Sequence, residues 1–249
     1  IHMKKFIVFI IGIAFTQLHA QKIELVKNIN PSGNTNISYL TEFNGKLYFS
    51  ADDGTNGQEL WVSDGTEEGT KMLKNINPSG ASNPKELAVC NGKLYFQASA
   101  SGFENPPHLW ISDGTEEGTI DISNICHSPK YFTAMNGKVY FSAIDNDYGT
   151  EFWVSDGTKE GTKMVKNILT VGINEGVGSE PACFTVFNDT LYFVAKSNAT
   201  DFQIFQSDGT ETGTIPFVKF SIFGQTTTMD FIVSNGKMFF NAIETKGDY

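Results

Sequence analysis

Glu59-Leu60-Trp61-Val62-Ser63-Asp64-Gly65-Thr66-Glu67-Glu68-Gly69-Thr70 decides the architecture, because the chain writes it again. The string returns at 108–119 and 151–162, and in eroded form at 203–214. A second phrase, Asn44-Gly45-Lys46-Leu47-Tyr48-Phe49-Ser50-Ala51, precedes each copy. It recurs from Asn91, Asn136, Asn188 and Asn235, at spacings of 47, 45, 52 and 47 residues. A period of this size marks one supersecondary unit copied and stacked.

The unit at 85–125 reads as four short antiparallel strands, a to d. Leu87-Ala88-Val89-Cys90 forms strand a, and Asn91-Gly92 is the dipeptide suited to the positive φ angles of a type I′ hairpin. Leu94-Tyr95-Phe96 returns as strand b, a polar loop at 99–107 leads to strand c at Leu109-Trp110-Ile111-Ser112, and 120–125 closes the unit after a glycine-rich turn. Strands b and c are near-continuous apolar runs, a pattern that demands cover on both faces. A four-stranded meander covered on both sides by its own copies is a β-propeller blade; a linear stack of sheets is the alternative. The expected fold is therefore all-β, a β-propeller of four-stranded antiparallel blades. Whole blades are expected at 37–76, 86–125, 131–168 and 183–219, with a last a–b hairpin at 230–243. An isolated strand d at 23–29 is expected beside that hairpin, closing the ring. Asp248-Tyr249 matches Asp147-Tyr148 just ahead of strand c, so the chain reads as a fragment of a longer protein.

The string Glu-Leu-Trp-x-x-Asp-Gly-Thr at 59–66 resembles the ELWxxDGT repeat family of secreted bacterial proteins. The copy at 151–158 departs only at Phe152 and the copy at 108–115 only at His108, whereas the fourth keeps just Ser207-Asp208-Gly209-Thr210. The resemblance covers nearly all of the mature chain. It implies export and tandem repetition, often followed by a sorting domain, and it supplies no established catalytic residues.

Residues 1–20 read as Ile1-His2, a remnant, and then a signal peptide: basic Met3-Lys4-Lys5, ten apolar residues from Phe6 to Phe15, and a cleavage site at Leu18-His19-Ala20. Residues 21–249 then form a single propeller domain, a monomer, secreted or held at the cell surface, without membrane insertion. The formal charge of −10, or −12 without Lys4 and Lys5, argues against nucleic acid and anionic membranes as partners. Every basic residue is lysine, which excludes recognition by a guanidinium fork. Cys90, Cys126 and Cys183 read as buried small hydrophobes rather than a disulfide framework.

The Asp-Gly-Thr-x-x-Gly-Thr turn looks like the Asp-box of sialidase propellers. Four copies cannot all be one active site, and a sialidase clamp needs arginines, so Asp64, Asp113, Asp156 and Asp208 read as turn builders and the glycines as positive-φ residues. Trp61, Trp110 and Trp153, with Phe205 as the fourth, read as inter-blade packing rather than a sugar platform. Function is expected where the repeats disagree. The b–c loops (52–58, 99–107, 144–150 and 196–201) and the long d–a loop at 170–181 share one rim and vary freely. Asp52, Asp53, Phe103, Asp145, Asp147 and Tyr148 are the ligand-binding candidates, for a glycan or a protein. Asp145 and Asp147 are also a candidate calcium loop, the one cofactor considered. His108 and His127 lie in different blades with no evident common face, so catalytic residues are not expected. A propeller-fold lyase or glycosidase and a purely structural surface-array module remain the alternatives.

Overall fold

The computed structural model describes residues 23–101, 105–123, 125–169, 178–198, 201–222 and 231–240. The expected leader and Phe103 lie outside these residues. Among them there is no helix, and the strands fall into four four-stranded antiparallel meanders and one hairpin. Blade 1 comprises β1 (Ser38–Phe43), β2 (Lys46–Asp52), β3 (Gln58–Ser63) and β4 (Lys71–Lys74). Blade 2 comprises β5 (Lys85–Cys90), β6 (Lys93–Ala98), β7 (His108–Ser112) and β8 (Ile120–Asp121). Blade 3 comprises β9 (His127–Met135), β10 (Lys138–Asp145), β11 (Gly149–Ser155) and β12 (Lys163–Lys166). Blade 4 comprises β13 (Ala182–Phe187), β14 (Thr190–Lys196), β15 (Phe202–Ser207) and β16 (Ile215–Ile222), and the hairpin is β17 (Phe231–Ser234) with β18 (Lys237–Phe240). Each strand a lies beside the strand a of the next blade, from β1 through β5, β9 and β13 to β17. Four-stranded meanders that meet along their first strands make a propeller-like fold.

The a–b hairpins form as expected. Asn44, Asn91, Asn136, Asn188 and Asn235 have φ of 51, 48, 51, 50 and 50°, and the next residue is again positive, from 56° at Asp189 to 73° at Gly137. Both central residues of a type I′ turn need positive φ, which asparagine and glycine tolerate best.

Blades are joined by packing their two apolar faces in register. Tyr48, Leu60, Val62 and Leu73 of blade 1 meet Leu94, Phe96, Ala98 and Trp110 of blade 2, and the pattern repeats at the next two joints. Trp110, Trp153 and Phe205, 7, 0 and 3% exposed, pack between blades as expected, whereas Trp61, 6% exposed, packs with Phe49, Ala51 and Ile29 on the other face of blade 1. Cys90 and Cys126 are buried among these side chains, and burial pushes the Cys126 thiol up to about 12, with Asp145 and Asp121 adding to the effect. Cys183 is half-buried instead, at the mouth described below.

Two polar devices recur at the joints. The tyrosine of each strand b lies against the turn glycine of the following blade: Tyr48 on Gly114, Tyr95 on Gly157, Tyr140 on Gly209. Burial, then the nearby Cys90 and Asp156, pushes the Tyr95 phenol up to about 12. A lysine also crosses each of several joints into the next turn's carbonyls. Lys74 Nζ donates to Glu116 O and Thr119 O at 3.1 and 2.8 Å, and Lys166 Nζ to Glu211 O and Thr214 O at 3.3 and 2.7 Å. Ser123 occupies this place between blades 2 and 3, where Lys93 Nζ reaches Gly157 O at 2.9 Å instead.

Residues 23–29 depart from the expectation: they form no strand and run as irregular chain along blade 1. Lys27 Nζ still donates to Glu67 O and Thr70 O at 3.2 and 2.7 Å, and Ile29 packs with Phe49, Ala51 and Trp61. The segment thus holds the place on blade 1 that Lys74 and Ile76 hold on blade 2. Phe231 and Phe240 of the hairpin pack on blade 4. Strand d of blade 2 is also shorter than expected, ending at Asp121.

The four Asp-Gly-Thr turns are copies in detail. Asp64 Oδ1 accepts the Thr66 N–H at 2.9 Å and its hydroxyl at 2.7 Å, and the buried Ser63 and Thr70 hydroxyls bond each other at 2.6 Å. Asp113, Asp156 and Asp208 do the same with Thr115, Thr158 and Thr210. The two glycines have different reasons. Gly65 has φ of 90°, whereas Gly69 lies in ordinary backbone but directly under the Asp64 carboxylate, so that a Cβ has no room. The expectation of positive φ therefore holds for the first glycine only.

Two outcomes follow. Trp153→Ala should lower stability by about 3–5 kcal/mol in chemical denaturation, because the cavity opens between two blades. Gly157→Ala and Gly65→Ala carry the same backbone strain, with φ of 83 and 90°, but only the first puts a Cβ 2.6 Å from Tyr95 Oη. Thermal melts should therefore show the larger loss for Gly157→Ala.

Candidate functional site

The first residue of the repeated string proves to be a structural anchor for the variable rim. Glu59 and Glu151 are fully buried. Glu59 accepts from Ile76 N (2.9 Å), Asn77 N (3.4 Å), Ser82 N (3.0 Å) and Ser82 Oγ (2.7 Å). Glu151 accepts from Ile168 N (3.1 Å), Ser179 N (2.9 Å) and Ser179 Oγ (2.6 Å). Burial pushes both carboxyls above the usual range, against the pull of these hydrogen bonds. Each glutamate thereby ties down the d–a connection, whose serine carbonyl accepts the N–H at the end of the next strand b: Ser99 N to Ser82 O at 2.9 Å, Lys196 N to Ser179 O at 2.7 Å. A charged residue heading an apolar strand carries no surface signal in sequence, and its role was not foreseen.

The entry into strand a is unusual in every blade, with or without this strap. In each blade two residues adopt left-handed φ: Asn36 and Tyr39, Asn83 and Glu86, Ser128 and Tyr131, Glu180 and Cys183, at 49–61°. The second of each pair sits in a bulge. Ser38 pairs with Ser50 and Thr41 with Tyr48, so Tyr39 and Leu40 face Phe49 alone, and β5, β9 and β13 repeat this register. Non-glycine residues held at positive φ cost about 1–3 kcal/mol each and gather at functional sites. Four copies, one at the start of each blade, make a row of strained positions at the end of strand a nearest the variable rim.

Three of these residues, Glu86, Tyr131 and Cys183, line a cavity of about 250 Å³ formed by the strands a of blades 2 to 4, together with Phe132 and Phe184. Tyr39 and Tyr131 expose 41 and 45% of their surface. Glu86 Oε2 accepts the Tyr131 N–H at 3.0 Å, locking blade 3's bulge to blade 2. A second cavity of about 160 Å³ opens between Ser82, Asn83, Lys85, Gln97, Ser99 and Asn105.

The predicted rim residues are divided between two blades with a third between them: Asp52 and Asp53 in blade 1, Asp145, Asp147 and Tyr148 in blade 3. Most of their carboxylate capacity holds their own loops. Asp52 Oδ1 accepts Gly54 N at 2.7 Å, and Asp53 accepts Thr55 N, Asn56 N and Asn56 Nδ2 at 2.7–2.9 Å. Asp145 Oδ1 accepts Asp147 N and Tyr148 N at 2.8 and 3.1 Å. Among the described residues no three His, Cys, Asp or Glu side chains gather as a metal site, so Asp145 and Asp147 stand without a third carboxylate. Asp147 and Tyr148 point outward at the loop tip.

His108 and His127 are closer than expected, since Ser128 N donates to Pro107 O at 2.7 Å across the joint. They occupy the places of a Glu59–Ser82 pair, yet their rings turn away. His108 Nδ1 meets Asp121 Oδ2 at 2.7 Å, and His127 Nε2 meets Asn146 Oδ1 at 3.3 Å. Ser123 Oγ is bound to the Leu109 backbone, N–H and carbonyl, rather than to an imidazole.

Because Glu151 has a raised folded-state pKa, its contribution is complete below the ordinary value of 4.5 and declines as pH rises through the folded value. The melting-temperature gap between the native protein and Glu151→Gln should therefore be widest below that pH and narrow on raising it.

No protein family and no curated protein sequence matches the chain. Among solved structures, the computationally designed Ika8 protein superposes with a TM-score of 0.50 at 10% identity, over 89% of this chain and 59% of that one. TolB from Acinetobacter baumannii gives 0.48 at 12%, over 79% and 46%. An α-L-arabinofuranosidase from Clostridium thermocellum gives 0.37 at 15%, over 83% and 81%. The chain spans less than two thirds of the length of the first two. At these identities the likeness concerns the all-β fold alone.

Proposed function

We propose that the chain is a non-catalytic β-propeller binding module, exported to the medium or cell surface, that seats a glycan at the axial mouth on its variable rim. The observation that carries this reading is Tyr131, half-exposed and held in a strained bulge at the wall of the cavity, with Tyr39 half-exposed at the same position of blade 1. Tyrosine offers a flat apolar face and a hydroxyl, the combination that suits a sugar ring. Glu86 and the rim loops around 52–58 and 144–150 supply acceptors for hydroxyl groups, and Tyr148 adds an outer contact. The opposite rim, by contrast, consists of four near-identical turns whose polar atoms are occupied internally. Segment 23–29 and the β17–β18 hairpin belong to one further blade of a closed ring in this reading. Support comes from Lys27 and Ile29, which sit on blade 1 as strand-d residues sit elsewhere. The leader and the ELWxxDGT resemblance point to the same exported setting.

Tyr131→Gly tests the proposal, because it removes the ring while relieving the positive φ of 61°. Binding on a glycan array should fall by about tenfold or more, with the melting temperature held or raised. Unchanged binding would move the site off the axis, and turnover of any bound glycan would make the module an enzyme.

A further inference from the structure

We infer that the segment 29–36 is a ready-formed seat for the carboxylate of a β-strand of the Glu-x-Trp type, the strand c of one more blade beside the face of blade 1 that carries Phe49 and Trp61. The argument is a comparison within the chain. Loops 77–82 and 30–35 have the same fold: Asn77 Nδ2 donates to Ala81 O at 3.1 Å, and Asn30 Nδ2 to Asn34 O at 3.3 Å. Both deliver a carbonyl to the next strand b, Ser82 O to Ser99 N at 2.9 Å and Thr35 O to Asp52 N at 2.8 Å. The difference lies on the other side. Ser82 Oγ and Ser179 Oγ each donate to a buried glutamate of the preceding blade, at 2.7 and 2.6 Å. Thr35 is only 1% exposed, and its hydroxyl has no partner at all. A buried, unpaired hydroxyl is costly unless something fills the place.

Three further places on blade 1 are incomplete in the same sense. The left-handed residues Asn83, Ser128 and Glu180 donate their N–H to the residue ahead of the previous blade's strand-c anchor, namely Gln58, Pro107 and Thr150. Asn36 N turns to its neighbour Asn34 Oδ1 at 3.3 Å. Gly65 has open space where Gly114, Gly157 and Gly209 each meet a tyrosine. Leu47 is half-buried where Leu94, Val139 and Leu191 are fully buried. The occupant is therefore specified by chemistry: an extended strand with a carbonyl for Asn36, then a glutamate for Thr35 and the N–H groups of Ile29 and Asn30, then a tryptophan. This is strand addition with a buried-carboxylate key.

The seat rests on the repeat geometry and on the proposed place of 23–29 in a further blade, not on the glycan rim. The test uses the whole chain and a labelled peptide with the sequence of residues 57–66, Gly-Gln-Glu-Leu-Trp-Val-Ser-Asp-Gly-Thr, read by fluorescence anisotropy. The peptide should bind and raise the melting temperature, and its Glu→Gln form should bind about tenfold more weakly. Thr35→Val should weaken the glutamate peptide by a similar factor, and Thr35→Ser should restore it. Without peptide, Thr35→Val should melt at or above the native temperature, whereas Ser82→Val and Ser179→Val should melt below it. Equal binding of both peptides, or no binding of either, overturns the inference. Self-association that neither peptide disturbs would make this face a contact between copies and likewise overturn it. Spin labels at Leu25→Cys and Phe239→Cys report ring closure separately. A long distance with glutamate-dependent binding would sink the ring and keep the seat.

Discussion

A four-stranded sheet that is apolar on both faces cannot stand alone in water, and every other feature of this molecule answers that constraint. Strands b and c place Tyr48, Leu60 and Val62 on one face and Phe49, Ala51 and Trp61 on the other. Each face needs roughly the area of an aromatic cluster covered, and only another blade of the same shape does this without a gap. The indoles fill the joint from one side, and their N–H groups find no acceptor there. The stabilisation they bring is therefore that of area and packing rather than polarity.

Covering both faces leaves the ends of the blades as the places where polar groups must be settled, and the two ends are settled differently. At the Asp-Gly-Thr end, short side chains close each turn on itself, and the lysines stitch one turn to the preceding strand d. At the other end, the incoming connection bends into strand a through two left-handed residues, and at two joints a buried glutamate gathers it. The first solution leaves little chemistry exposed. The second creates strained positions near the axis whose side chains are not dictated by packing, which is why Tyr39, Glu86, Tyr131 and Cys183 can differ while their backbone does not.

The blades, the hairpins and the aromatic column were legible in the sequence because each has a local cause: apolar runs, an Asn-Gly pair, a tryptophan in the middle of a strand. The candidate site was legible only as a rim. The bulges could not be read because the register, with two residues facing one, defines them, and the four occupants share no property. Glu59 and Glu151 were hidden because a carboxylate is ordinarily a surface residue, and only the fold brings four donors to it. Asp52, Asp53 and Asp145 show the converse, since an acidic loop that holds its own N–H groups looks in sequence like one with its carboxylates free. The segment expected as a strand at 23–29 forms no ladder with a strand c among the described residues.

The joints are not all tied in the same way. Between blades 2 and 3 the glutamate–serine pair gives way to His108 and His127, the strand-d lysine gives way to Ser123, and β8 has only two residues. In a stacked array, cooperativity is a chain of nearest-neighbour couplings, and it extends only as far as the weakest of them. Coupling across this joint therefore runs through substitutes: Lys93 reaches Gly157 O, Glu86 accepts the Tyr131 N–H, and β9, nine residues long, lies against β6 and β7 as well as β5, so that the repeat keeps its coupling while changing the residues that carry it.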